Sequence, residues 1–433
     1  MVIFLLLACH PEEKVPSQRD YPVLEDVRGV VEGFYGDVWS FDERSELVSF
    51  AVDAGLDTWM YAPKADSLHR EDWRDRYPQA HLDHFGALAA EIRFVYAIAP
   101  GLDYAVDSDD ADVLDDKLAR IYDSGVRDFC VLFDDVLGPV DVAEPAVQVE
   151  IVNRVRSELP EDASLCFISN AYVGTAAEIE AGETSFDPLL DVKSDKLYAA
   201  YAEIDASVAI LWTGPHVFSR QIGDAAAFRS LVDRPAILWD NYPVNDGALV
   251  DELFLAAVPE RPELDELDGI LINPMTQPQA SRIAMWTLGT GGTVEDALEE
   301  IDPSGGVMGL VHHFSSHPFL DDGPESQRFL EAQGAGDAAL RAEFAGYAAH
   351  DLSGVDPRLA AELGEASEKL KLYGEAGLLA LDGDPGARAL FEQAREIRWN
   401  VGENVGGFAA SLISDGNAND RDAFGEFFES VLP

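Results

Sequence analysis

The chain has 433 residues, 47% of them apolar and 26% charged, which allows two or three domains with a sizeable core and rules out a disordered chain. Its 81 acidic residues against 30 basic ones give a formal net charge of −51. That balance argues against a nucleic-acid partner, because phosphate binding needs a basic patch, and the even spread of acid reads as a solvating coat suited to salty surroundings.

Taken in order, residues 1–24 read as a signal and tether. Met1 to Cys9 is an apolar stretch without a basic start, and Leu6-Leu7-Ala8-Cys9 is similar to a bacterial lipobox with Cys9 as the lipidated residue. A polar, Pro-containing segment follows through Asp20. The expectation is a cell-envelope or extracytoplasmic protein that meets the membrane only through that anchor, since no other stretch is long enough to span a bilayer.

From Val27 the pattern alternates. Short apolar runs occupy Val27–Phe34, Thr58–Pro63, Arg93–Pro100, Asp128–Asp135, Ser164–Asn170, Val208–Gly214, Pro235–Tyr242 and Asp268–Pro274. Helix-period segments separate them, such as the one carrying Leu114, Leu118, Ile121 and Tyr122. This order predicts a (β/α)8 barrel over residues 25–300. An open doubly wound sheet is the alternative, disfavoured because no Gly-rich phosphate loop follows any run. Beyond residue 300 the strand pattern stops. Asp356-Pro357 and Asp384-Pro385 read as helix starts, the first followed by Leu359, Leu363, Ala366, Leu370 and Tyr373, the second by Leu390, Ala394, Ile397 and Val401 on one face. Residues 301–433 are therefore expected to form an all-α domain.

In such a barrel the chemistry sits where strands end. Those ends carry Gly33 and Tyr35, Lys64, Asp134-Asp135, Tyr172, Thr213, Trp239 and Asn241 with Asp246, and Asn273. Aromatic rings beside amides and carboxylates suit a sugar. The pair Asp134-Asp135 closes an apolar run, and adjacent carboxylates can divide acid and base work. A pleated strand would aim them at opposite faces, so the strand must end or bend there. Cys130 and Cys166 lie in apolar runs and read as buried free thiols. No Cys/His spacing matches a zinc site, His312-His313 with His317 is a poor metal candidate, and no cofactor is expected.

The motifs Gly29-Val30-Val31-Glu32-Gly33-Phe34-Tyr35-Gly36, Met60-Tyr61-Ala62-Pro63-Lys64, His69-Arg70 and Ala99-Pro100-Gly101-Leu102-Asp103 occur in order. Leu132-Phe133-Asp134-Asp135-Val136, Leu211-Trp212-Thr213-Gly214-Pro215, Trp239-Asp240-Asn241 and Asn273-Pro274-Met275 follow them. Together the set resembles glycoside hydrolase family 84, the β-N-acetylglucosaminidases that include O-GlcNAcase and bacterial relatives. The resemblance implies a retaining exo-enzyme acting on GlcNAc-containing glycans or glycoproteins, in which the substrate acetamido group is the nucleophile. It implies that Asp134 binds the acetamido N–H and that Asp135 is the general acid and then base. Tyr172 would bond the acetamido oxygen, and Trp239, Asn241 and Thr213 would shape its pocket. Gly33, Lys64, Asp246 and Asn273 would hold sugar hydroxyls, with Tyr35 beside them. Asp37-Val38 and Ala171 depart from the family pattern at the mouth. Two other functions remain open at this level: a non-catalytic glycan-binding surface lipoprotein, and an endo-acting hydrolase of the hyaluronidase type.

Overall fold

The computed structural model describes residues 21–136, 142, 144–181, 202–315, 317, 327–400 and 423–432. Cys9, the tether after it and Val401 lie outside the described residues.

Eight strands form: β1 (Val27–Glu32), β2 (Thr58–Tyr61), β3 (Arg93–Ile98), β4 (Asp128–Leu132), β5 (Ser164–Ile168), β6 (Val208–Trp212), β7 (Ala236–Pro243) and β8 (Gly269–Asn273). All pair in parallel with their sequence neighbours, and β8 closes on β1. The result is a (β/α)8 barrel with helices around it, as the alternation predicts. Except for β7 and β8, the strands stop short of the motif residues, which therefore sit on the loops above them.

Strand alternation sorts the apolar residues into two cores. Val31, Met60, Val95, Ala97, Cys130, Leu132, Cys166, Ile168, Ala209, Leu211, Ile237 and Leu271 pack together inside the barrel. Their neighbours, such as Phe129, Val131, Phe167 and Ile210, point outward against the helices. Both thiols are free and buried in the inner core.

The chain after residue 300 is helical where described. Helix Pro357–Leu381 starts as expected: the Asp356 side chain accepts the Arg358 N–H, and Leu359, Leu363, Ala366, Leu370 and Tyr373 are buried. Helix Gly386–Arg395 also follows its signal, with Asp384 accepting the Gly386 N–H at 2.8 Å. Its fully buried residues are Ala387, Phe391 and Ala394; of the expected face Ala394 is buried and Leu390 packs partly buried on the core, while the helix ends before Ile397. The ring of Phe391 stacks on Phe428, 4.3 Å apart. His313 meets the edge of Tyr347, and His317 packs among Phe218, Tyr242 and Phe254, so both are core residues. Among the described residues no helix is long and apolar enough to cross a membrane.

Candidate active site

Most site residues keep the parity of the inner core. Stepping by two from the inner core leads from Val31 to Gly33 and Tyr35, from Met60 to Lys64 and from Leu132 to Asp134. The same step leads from Ile168 to Tyr172, from Leu211 to Thr213, from Ile237 through Trp239 to Asn241, and from Leu271 to Asn273. All these residues, with Asp135 and Asp246, line one cavity of about 230 Å³ at the C-terminal end of the barrel. Ile168, Val217, Phe218, Val244 and Leu249 complete its apolar wall. The sequence does not single this wall out, because Ile168 reads as strand core and the other four as ordinary loop packing.

Asp135 is off this parity. It reaches the cavity because its backbone is left-handed, with φ +54°, a conformation Asp tolerates better than most residues. This is the bend that two adjacent carboxylates at a strand end require.

The two acids have different surroundings. Asp134 is buried, and its Oδ2 is paired with the Lys64 ammonium. Burial alone would raise its carboxyl, but Lys64, with Arg70 beyond it, outweighs burial and holds Asp134 below the usual carboxylate range. Its Oδ1 is buried with no hydrogen-bond partner. Asp135 is half-buried and accepts two phenol hydroxyls, Tyr35 at 2.8 Å on Oδ2 and Tyr172 at 2.9 Å on Oδ1. Burial, with the nearby carboxylates, pushes both phenols well up, so each stays a donor. Tyr172 is thus engaged with Asp135, and Lys64 with Asp134, where the resemblance gave each a contact to the sugar.

The remaining polar groups form a relay around the rim. Asn273 accepts the Gly33 N–H at 3.1 Å and donates to Asn241 at 3.1 Å. The Trp239 indole N–H donates to the same Asn241 oxygen at 3.0 Å, and Asn241 donates to the Val217 carbonyl. Glycine is required at position 33, since a Cβ there would lie 2.2 Å from the Trp239 ring. Asp246 accepts the Tyr35 N–H at 2.6 Å, and its carboxyl is raised by burial and by Asp135. Thr213 donates to the His216 carbonyl at 3.0 Å and so braces the loop after β6. Beside the site, His69 is held on the Ala97 carbonyl at 2.9 Å, and burial followed by the Lys64 charge lowers it to about 4, so it is neutral. Arg70 was noted in the sequence without a role, yet it donates to the Asp135 carbonyl at 3.2 Å. Among the described residues no group of three or more His, Cys, Asp or Glu is placed to hold a metal ion.

Residues 28–300 match the family model for beta-N-acetylglucosaminidase. Protein O-GlcNAcase of Rattus norvegicus is 32% identical over 279 residues, which is 60% of this chain and 29% of that protein; the Mus musculus protein gives the same figures. The chain therefore spans less than a third of the length of these curated relatives. A solved O-GlcNAc hydrolase variant from Thermobaculum terrenum superposes with a TM-score of 0.76 over 94% of both chains, at 23% identity, a likeness of fold. The solved structure of CpGH84B superposes with a TM-score of 0.72 at 25% identity, covering 87% of this chain and 75% of that one. With most of the barrel matched by one family model, the chain belongs to the β-N-acetylglucosaminidases of glycoside hydrolase family 84.

Proposed function

We propose that the chain is a retaining exo-β-N-acetylglucosaminidase that releases terminal β-linked GlcNAc from glycans or glycoproteins by substrate-assisted catalysis. The observation that carries this reading is Asp134, a cavity-lining carboxylate kept ionised by Lys64, one of whose oxygens is buried without a hydrogen-bond partner. An acetamido N–H is a donor of the right kind for that oxygen. As the acetamido carbonyl oxygen attacks C1, positive charge develops on the amide, and a fixed carboxylate stabilises it most when it appears.

In the first step the acetamido O–C1 bond forms and the glycosidic C1–O bond breaks. Asp135 gives its proton to the departing oxygen. In the second step water attacks C1, the oxazoline ring opens, and Asp135 takes the water proton. Two inversions at C1 return the β-anomer. Tyr172, now on Asp135, is the donor suited to the acetamido oxygen, while Trp239, Asn241 and Thr213 wall that group. Gly33, Lys64, Asp246 and Asn273 would hold the ring hydroxyls.

The test is hydrolysis of an aryl β-N-acetylglucosaminide followed by proton NMR. The expected first product is β-GlcNAc, with the matching aryl β-glucoside left intact because it lacks the nucleophile. Release of the α-anomer, or equal cleavage of the glucoside, would overturn substrate assistance. The proposed setting is the cell envelope with lipid on Cys9. Cys9→Ser should then move active enzyme from the membrane fraction to the soluble one, and retention at the membrane would refute the lipid anchor.

A further inference from the structure

Arg70 lies between β2 and helix Gln79–Ala89; its charge helps Lys64 keep Asp134 ionised, and its contacts give it a second task. Its burial is expensive: the residue is only 6% exposed, and its Nη1 is enclosed without a hydrogen-bond partner. A guanidinium with an unfilled donor gains little for the fold, which directs attention to what its charge and its other arm touch.

The charge acts on Asp134, as above; the contacts lead to Asp135. Nη2 donates to the Asp135 carbonyl at 3.2 Å, at the left-handed corner that turns this side chain into the cavity. The guanidinium also lies 5.7 Å from the centroid of the Tyr35 ring, within cation–π range. Tyr35 in turn donates to Asp135 Oδ2, and it is 45% exposed. The mount beneath Arg70 is rigid. The His69 carbonyl accepts the Ala99 N–H at 3.0 Å. The Lys117 ammonium gathers the carbonyls of Leu68, Trp73 and Asp75 at 2.6, 2.8 and 2.6 Å, on both sides of Arg70 in the chain.

We infer that Arg70 is a positioning residue for Asp135. It grips the main chain of that residue directly and its carboxylate through Tyr35, and it touches no substrate. This rests on the reading of Asp135 as the acid. Without Arg70 the corner is free to relax toward an ordinary backbone conformation, and the carboxyl moves off the line to the glycosidic oxygen.

The experiment compares wild type, Asp135→Asn, Arg70→Gln and Arg70→Lys on GlcNAc glycosides whose leaving groups range from dinitrophenol to an alkyl alcohol. The expected result for Arg70→Gln is a fall of about 10²-fold in kcat/KM for the alkyl glycoside, with little change for the dinitrophenyl one, because only a poor leaving group needs the proton. Calorimetric affinity for GlcNAc should stay within ~3-fold of wild type, and Arg70→Lys should show the same leaving-group trend, reduced to about tenfold. Should Arg70→Gln fail to fold, the Lys variant carries the comparison. Equal losses across leaving groups, or none, in Arg70 variants while Asp135→Asn discriminates between leaving groups would overturn the inference alone. An inactive wild type, or an Asp135→Asn that does not discriminate, would overturn the reading of the site and this inference with it.

Discussion

Asp134 and Asp135 are chain neighbours whose duties are separated by what each touches. Asp134 faces a buried ammonium and keeps one oxygen unpaired; Asp135 faces two phenols at the edge of solvent. Replacing Asp135 by Asn removes the proton donor but keeps the shape. Its kcat/KM is expected to fall about 10²–10⁴-fold for an alkyl aglycone and to change little for an activated aryl one. A uniform loss, read from a plot of log kcat/KM against leaving-group pKa, would refute its role as acid. Asp134→Ala acts on another quantity. The interaction it removes strengthens as the amide gains charge, so turnover should drop about 10²–10³-fold. Calorimetry should find that a thiazoline mimic of the intermediate loses far more affinity than GlcNAc does. Equal weakening of both ligands would reduce Asp134 to a sugar-binding group.

At the scale of elements, the barrel was legible because each strand is a continuous apolar run with a polar end. Strand alternation turns Trp239, Asn241 and Asn273 inward from β7 and β8, whereas Lys64, Asp134 and Tyr172 lie on loops just past their strands, where the strand period no longer decides the direction. What escaped the sequence are contacts between distant loops. No local pattern encodes Arg70 on the Asp135 carbonyl, or the pairing of Tyr172 with Asp135 across β4 and β5. Another such contact joins the helical region to the barrel. Glu362, in the second turn of helix Pro357–Leu381, accepts the N–H groups of Gln279 at 3.0 Å and Ala280 at 2.8 Å. It thereby ties the turn that leads into helix Arg282–Thr290, a few residues after Asn273, to the helical region. Burial pushes its carboxyl up to about 7 despite those two donors, and Glu43 adds to the rise. Because the folded state holds this proton more tightly than the unfolded one, with its ordinary value of 4.5, the contribution is fully present below about that pH. It is lost as pH rises through about 7. Thermal melts from about pH 4 to 8 should show Glu362→Gln losing less stability with rising pH than the wild type. Parallel melting curves for the two proteins would show that Glu362 does not titrate in this window.

At the scale of the whole molecule, the distribution of positive charge decides how the protein meets salt. The sequence holds only seven lysines. Of the four that fall among the described residues, Lys64, Lys117 and Lys369 are buried and Lys371 is half-buried, so no described lysine is fully exposed. Several of the more exposed arginines are committed to acids, as Arg154 is to Asp112 and Asp115, and Arg358 to Glu46. The remaining acid has no counter-charge within the chain. Added salt therefore has two opposed effects. It weakens the surface ion pairs, each worth about 0–1 kcal/mol, and it shortens the reach of repulsion from about 10 Å at 0.1 M to about 3 Å at 1 M. With 81 acids against 30 basic residues the repulsive pairs far outnumber the attractive ones, so relief of repulsion wins and stability should rise with salt. The same field surrounds the cavity, where Asp134, Asp135 and Asp246 face a single lysine. A neutral GlcNAc glycoside is indifferent to it, whereas an anionic aglycone is repelled until ions screen the approach. The melting temperature should climb between low and molar potassium chloride, and over the folded range the ratio of kcat/KM for an anionic to a neutral aglycone should climb with it. A melting temperature that stays flat or falls would mean that the acidic coat is already neutralised within the molecule, and a constant ratio would mean that its field does not reach the site.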